Sequence, residues 1–106
     1  MMGANFALLS NWIPRREVRK MQRPWVTSAA YDAAITVMIE ARRSKGLSQR
    51  ELAERLGKPR SFVSKIENKE RRLDFVEFVV TARALDVEPS DLLSKVASAL
   101  PAVIDF

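Results

Sequence analysis

Apolar and polar residues fall into two short helical patterns between Leu47 and Asn68, near the middle of a 106-residue chain. Leu52, Ala53 and Leu56 share one face of the first, and Val63 and Ile66 share one face of the second. Ser48 and Glu51 make an S-x-x-E capping box, so the spacing predicts a helix that begins at Gln49. Gly57 supplies the permissive backbone of a sharp turn, and Pro59 has a φ fixed for a helix start, which puts the second helix at about Arg60 to Glu67. Each offers only two or three apolar side chains. Helix nucleation is costly, so neither is stable alone and both must pack on other elements.

Upstream, Thr27 or Ser28 as N-cap opens a longer helix running to Lys45, with Gly46 as the left-handed residue that ends it. Ala34, Met38 and Ala41 form the stripe expected to face the two short helices. Ile35, Val37 and Ile39 are apolar too, so this helix is hydrophobic over more of its circumference than a surface helix. The segment Phe6 to Ile13, from the same chain or a partner's, is the expected cover. Downstream, Asp74 and Glu77 repeat the capping arrangement and start a helix with Phe75, Phe78, Val79, Ala82 and Leu85 on its inner face. Helical spacing beside an acidic outer face assigns both phenylalanines to the core rather than to a base-stacking platform. Asp86 stands at a helix end where Gly is more usual. Pro89 opens a last helix, in which Leu92, Leu93, Val96, Ala97 and Leu100 offer apolar surface up to Pro101. The organisation is all-α: an N-terminal extension over 1–27, a five-helix domain over 28–100 and a short C-terminal tail over 101–106.

With Val63 and Ile66 turned inward, Arg60, Ser61, Ser64 and Lys65 lie on the outer face of the second short helix. All four are hydrogen-bond donors and two are cationic, which makes a surface suited to reading DNA. The run S-Q-x-E-L-A-x-x-L-G from Ser48 to Gly57, followed by S-F-V-S-K-I-E-N from Ser61 to Asn68, resembles the helix-turn-helix domain of the phage-repressor and Cro type, the XRE-like regulators. The resemblance covers about Met38 to Leu93. It implies a five-helix lambda-repressor-like fold and a sequence-specific, double-stranded DNA-binding transcriptional regulator, with repression the expected mode.

The resemblance also implies roles for single residues. Gln49 matches a position that anchors the domain to a phosphate, helped by a helix N-terminus. Asn68 and Lys69 fall in a loop that touches phosphates; Lys69 stands where a Gly is frequent, and Asn68 is able to take the left-handed conformation or to act as a plain C-cap. Arg42 and Glu67 match a structural ion pair between the end of the first helix and the end of the recognition helix. Arg60 and Lys65 have the chemistry to donate to guanine O6 and N7, each contact being worth about 1–3 kcal/mol of discrimination, or else to bind phosphate. Related proteins commonly carry Gln near the Arg60 position, so no base preference carries over. One domain contacts few base pairs, so a homodimer formed through the last helix and the C-terminal tail is expected to read a palindromic operator with half-sites about 34–36 Å apart.

Composition narrows the chemistry further. The chain has no cysteine and no histidine, which leaves no disulfide, Cys/His zinc site, thiol nucleophile or imidazole base. A nuclease would need convergent carboxylates on Mg²⁺, whereas Asp and Glu are spread as caps and solvent-facing charges. Neither an enzyme nor a cofactor is expected. The net charge of +5 is uneven: residues 42–72 carry eleven Lys/Arg against four Glu, a net of +7, while residues 73–106 carry two against six, a net of −4. Positive charge is thus concentrated on the two short helices, as phosphate binding requires.

The apolar run Phe6-Ala7-Leu8-Leu9 is too short to span a bilayer and has no basic residue ahead of it, so a cytoplasmic protein with no membrane attachment, nucleoid-associated when bound to DNA, is expected. Pro14 and Pro24 bracket a basic run that holds Arg15, Arg16, Arg19, Lys20 and Arg23. It reads as a DNA-following arm, an anionic-membrane contact or a solvated lead-in. An alternative function is an antitoxin-like interaction module, which grips another protein through residues 1–31 or 97–106 and uses the helix-turn-helix for autoregulation.

Overall fold

Five helices make up the computed structural model, which describes residues 28–104. α1 spans Ala29–Ser44, and its N-cap Ser28 accepts from the Tyr31 N–H at 3.0 Å through its hydroxyl. Lys45 closes the helix and Gly46, at φ 71, turns the chain. α2, Gln49–Leu56, has the Ser48/Glu51 capping box complete, and it ends on Gly57 in the left-handed region at φ 66. α3, Arg60–Glu67, follows after two residues, with Pro59 at the N-cap contributing no side-chain hydrogen bond. α4, Phe75–Ala84, starts with the Asp74/Glu77 capping box. α5, Pro89–Ala99, starts with Pro at its first position behind Glu88. No strand occurs among the described residues.

Packing explains why short helices hold. α2 and α3 lie against each other, α3 also against α1, and α2 also against α4; α1 and α4 both contact α5. Two apolar clusters result. Leu52, Ala53, Val63 and Leu85 join α2 and α3 to the end of α4, while Val37, Met38, Ala82 and Leu92 join α1, α4 and α5. Ala41 and Val87 pack against both clusters and so connect them. Leu85 and Leu92 are fully buried. Burying one such side chain is worth about 1.5–3 kcal/mol, and truncating it to Ala costs about 2–5 kcal/mol.

Several positions differ from the sequence expectation. Phe75, expected on the inner face of α4, is 83% exposed, whereas Phe78 and Val79 are half-buried and Ala82 and Leu85 are buried. The reason is geometric: Phe75 is the first residue of its helix and stands at an open groove between α1, α4 and α5. Ala34 was expected to face the short helices, but it lines a groove between α1, α4 and α5. The broad apolar circumference of α1 is explained in part by α5, which packs Leu92 against Val37 and Met38. At the end of α3, Asn68 keeps a right-handed φ of −83, and Lys69, at the position where a Gly is frequent, takes the left-handed one at φ 62. Asp86 does the same at φ 56. The expectations for Phe6 to Ile13 and for the basic run over 15–23 lie outside the described residues.

Candidate nucleic-acid interface

α3 has an apolar face and a polar one, set by the 3.6-residue period. Val63 and Ile66 are buried at 4% and 7%, and Phe62 is half-buried against the α2–α4 cluster. Arg60, Ser61 and Lys65 are exposed and Ser64 is partly so. Ser61, Lys65 and Asn68 follow one another at i, i+4 and i+7, so they share one stripe along the helix. Arg60, Ser64 and Glu67 share the adjacent one, which leads toward the start of α2.

That second stripe is anchored by charge. Glu67 accepts from Arg42 at both oxygens, from Nε at 2.7 Å and from Nη2 at 2.9 Å, with both side chains only 8% exposed. Arg42 spends its remaining reach on the Leu47 carbonyl, 2.7 Å from Nη1, and so ties the loop ahead of α2 to the same group. Gln49 Nε2 donates to Glu67 Oε1 at 2.8 Å, while Gln49 Oε1 accepts from Arg60 at 3.5 Å. A chain of polar contacts therefore runs from the interior to the exposed guanidinium of Arg60. Bidentate Arg–carboxylate geometry fixes orientation as well as energy. The start of α2, the end of α3 and the end of α1 are thereby held in one arrangement.

The sequence-identified residues are brought together unequally. Arg60, Ser61, Ser64 and Lys65 share the polar face of α3, and the Ser64 hydroxyl donates to the Ser61 carbonyl at 3.3 Å. Gln49 reaches that face through Glu67 and Arg60. Asn68 donates to Glu70 at 3.4 Å, and Lys69 is drawn toward α1, where its Nζ lies 3.2 Å from Asp32. Lys69 is thus engaged by its own fold at one end of the interface.

The eleven basic residues of the region also divide. Arg42, Arg55, Lys69 and Arg71 have carboxylate partners within the domain. Arg71 is the most committed: it bridges both oxygens of Glu77 at 2.8 and 2.6 Å and lies 4.8 Å from the centre of the Phe62 ring. The Arg71 hydrogen bond holds the Glu77 carboxyl below the usual carboxylate range, and Glu77 in turn raises the Arg71 guanidinium. Lys58 lies 5.6 Å from the Phe62 ring, and Arg72 lies 5.3 Å from the ring of Tyr31. Arg43, Lys45, Arg50 and Lys65 form no ion pair among the described residues. Arg50, exposed one residue after Gln49, was not singled out from sequence, although its place in the first turn of α2 beside the expected phosphate contact Gln49 is legible there.

Among the described residues no group of carboxylates, His or Cys is arranged to hold a metal ion, and no helix is long and apolar enough to cross a membrane. The comparisons with known proteins agree with this geometry. A family model described as helix-turn-helix matches residues 38–92. The fold is similar to that of an XRE-family like protein from Pseudomonas syringae pv. tomato str. DC3000, at 49% identity and a TM-score of 0.64, covering 69% of this chain and 89% of that one. It is also similar to the clp gene regulator ClgR from C. glutamicum, at 22% identity and a TM-score of 0.61, covering 68% of this chain and 94% of that one. No curated protein matches the chain.

Proposed function

The chain belongs to the XRE family of helix-turn-helix proteins, and from that premise we propose that it is a DNA-binding transcriptional regulator, acting as a repressor and binding a palindromic operator as a homodimer. The observation that carries the reading is the polar face of α3: Arg60, Ser61 and Lys65 are exposed on a helix whose opposite face is buried, and whose end is fixed by the Arg42–Glu67 pair. An α-helix fits the major groove, and Arg60 is the side chain suited to a bidentate contact with guanine O6 and N7. Ser61, Ser64 and Lys65 complete the base-facing set. Gln49 and Asn68 contact phosphates at either end of it, and Lys69 joins them when it leaves Asp32.

Two copies are needed for specificity, since one recognition helix spans few base pairs. In this reading α5 and the tail form the dimer surface, and the exposed Val103 and Ile104 support it. Selection of bound sequences from a random duplex library tests the whole proposal. Enrichment of one inverted repeat, with half-sites about one helical turn apart, is the expected result. Unselective binding that disappears with added salt would leave only an electrostatic footprint.

A further inference from the structure

An apolar groove of about 440 Å³ lies between α1, α4 and α5, and no residue of α2 or α3 lines it. Its floor includes Ile35 and Met38, 2% and 7% exposed. Phe75 and Leu93, 83% and 57% exposed, stand along its lining as large apolar side chains in contact with water. Such a rim is the mark of a surface that another apolar segment covers.

The chain itself carries a suitable segment at the right place. Residues 1–27 join the fold at Ser28, whose hydroxyl accepts from the backbone of Tyr31, the first α1 residue of the groove wall. Phe6, Leu8, Leu9, Trp12 and Ile13 put five large apolar side chains into eight residues. The link from Ile13 to Ser28 spans up to roughly 50 Å when extended, ample for a return to a groove that begins within one helical turn of its anchor. Arg15, Arg16, Arg19, Lys20 and Arg23 follow the apolar stretch with only Glu17 against them. The groove edge itself is mixed in charge, since Asp74 caps α4 and Arg72 lies 5.3 Å from the ring of Tyr31, so the apolar stretch and its tether carry the assignment.

We propose that this groove is the docking site of the chain's own residues 6–13. A tethered segment meets the groove at an effective concentration in the millimolar range, which a separate molecule at micromolar concentration does not match, and the mixing experiment below separates it from the segment of a dimer partner. Docking in cis also holds the basic run on a face to which α2 and α3 contribute nothing, and so removes it as an arm for DNA.

Both tryptophans of the protein, Trp12 and Trp25, lie in residues 1–27, so Trp25→Phe leaves Trp12 as the sole reporter. Its emission maximum and acrylamide quenching are measured on the full chain at low and high protein concentration, alone and combined with Leu93→Glu or Phe75→Ser. Expected are a blue-shifted emission and a quenching constant several-fold below that of free tryptophan, unchanged with concentration, with both effects lost in the groove variants at unchanged helix content. Phe75→Ser replaces a side chain outside both core clusters and serves if Leu93→Glu loses helix content. Quenching equal to that of free tryptophan overturns the proposal. Shielding that grows with concentration, or that is lost when the reporter chain is mixed with an excess of chains carrying Trp12→Phe, Trp25→Phe and Phe75→Ser, overturns it in favour of a second copy, and shielding indifferent to both groove variants places the segment elsewhere.

Discussion

Replacing Arg42 by Met removes the guanidinium while keeping much of the aliphatic packing, and it leaves Glu67 with a single charge-neutral donor. The Glu67 side chain is 8% exposed, and in the variant only Gln49 Nε2 still donates to it. Breaking a buried pair from one side costs about 3–5 kcal/mol, because the remaining charge is uncompensated. The Leu47 carbonyl, which accepts from Arg42 at 2.7 Å, also loses a charged donor, a change worth about 1.5–3 kcal/mol that overlaps with the first rather than adding to it. A domain of this size has roughly 5–10 kcal/mol in total, so about half is at stake. The assay is urea unfolding followed by far-ultraviolet circular dichroism. With a urea slope near 1.5 kcal/mol/M for a small domain, the midpoint falls by roughly 2–3 M. The double variant Arg42→Met, Glu67→Leu removes both charges and recovers most of the loss, since an apolar replacement of a buried pair is close to neutral. DNA binding lost in the single variant returns with it, apart from any contribution that Gln49 made through Glu67. A single-variant cost below about 1 kcal/mol, or a double variant as unstable as the single, would refute the account of a coupled buried pair.

Other consequences can be read from single positions. Lys69 holds φ 62, so Lys69→Gly stabilises the fold by about 1 kcal/mol in thermal unfolding, the exposed ion pair to Asp32 being worth little against the backbone relief. Asp74→Ala removes the side chain that accepts from the Glu77 N–H at 2.7 Å and costs about 1 kcal/mol, measured by chemical denaturation. Acid should weaken the fold. Hydrogen bonds from Arg71 to Glu77, and from the Ser48 backbone and hydroxyl to Glu51, hold both carboxyls below the ordinary 4.5. Their contribution is complete above that value and is lost as pH falls through the lowered folded-state range, because the unfolded chain then binds protons more readily. Glu77→Gln should therefore be less stable than wild type at neutral pH and lose less on acidification, as followed by denaturation midpoints across that range.

What could be read from the sequence was mostly local. Capping boxes at Ser48/Glu51 and Asp74/Glu77 are complete within four residues, and both formed as their spacing implies. Gly46 and Gly57 took the left-handed conformation that few other residues adopt without cost. Lys69 and Asp86 occupy the same kind of position without glycine, and there the fold overrides preference. Arg42 meets Glu67 across 25 residues, and the sequence pattern alone carries no signal for it; the family resemblance did. The bond of Lys69 to Asp32, the Arg71 stack on Phe62 and the Tyr31 hydroxyl that accepts from the Leu73 N–H are long-range results of packing without a periodic trace. Phe75 shows the opposite failure. Its spacing matches the core stripe, yet among the described residues the groove it lines is open.

In the proposed function α3 reads bases, and Arg60 is one of the side chains that does so. Its most direct test is the affinity of wild type and Arg60→Ala for a selected operator and for every single base-pair variant of it, at two salt concentrations. Arg60→Ala is expected to lose discrimination at one base pair in each half-site, by about 1–3 kcal/mol, while discrimination elsewhere and the salt slope are kept. A uniform loss across all variants, with a salt slope shallower by about one, would make Arg60 a phosphate contact and contradict base readout at that position.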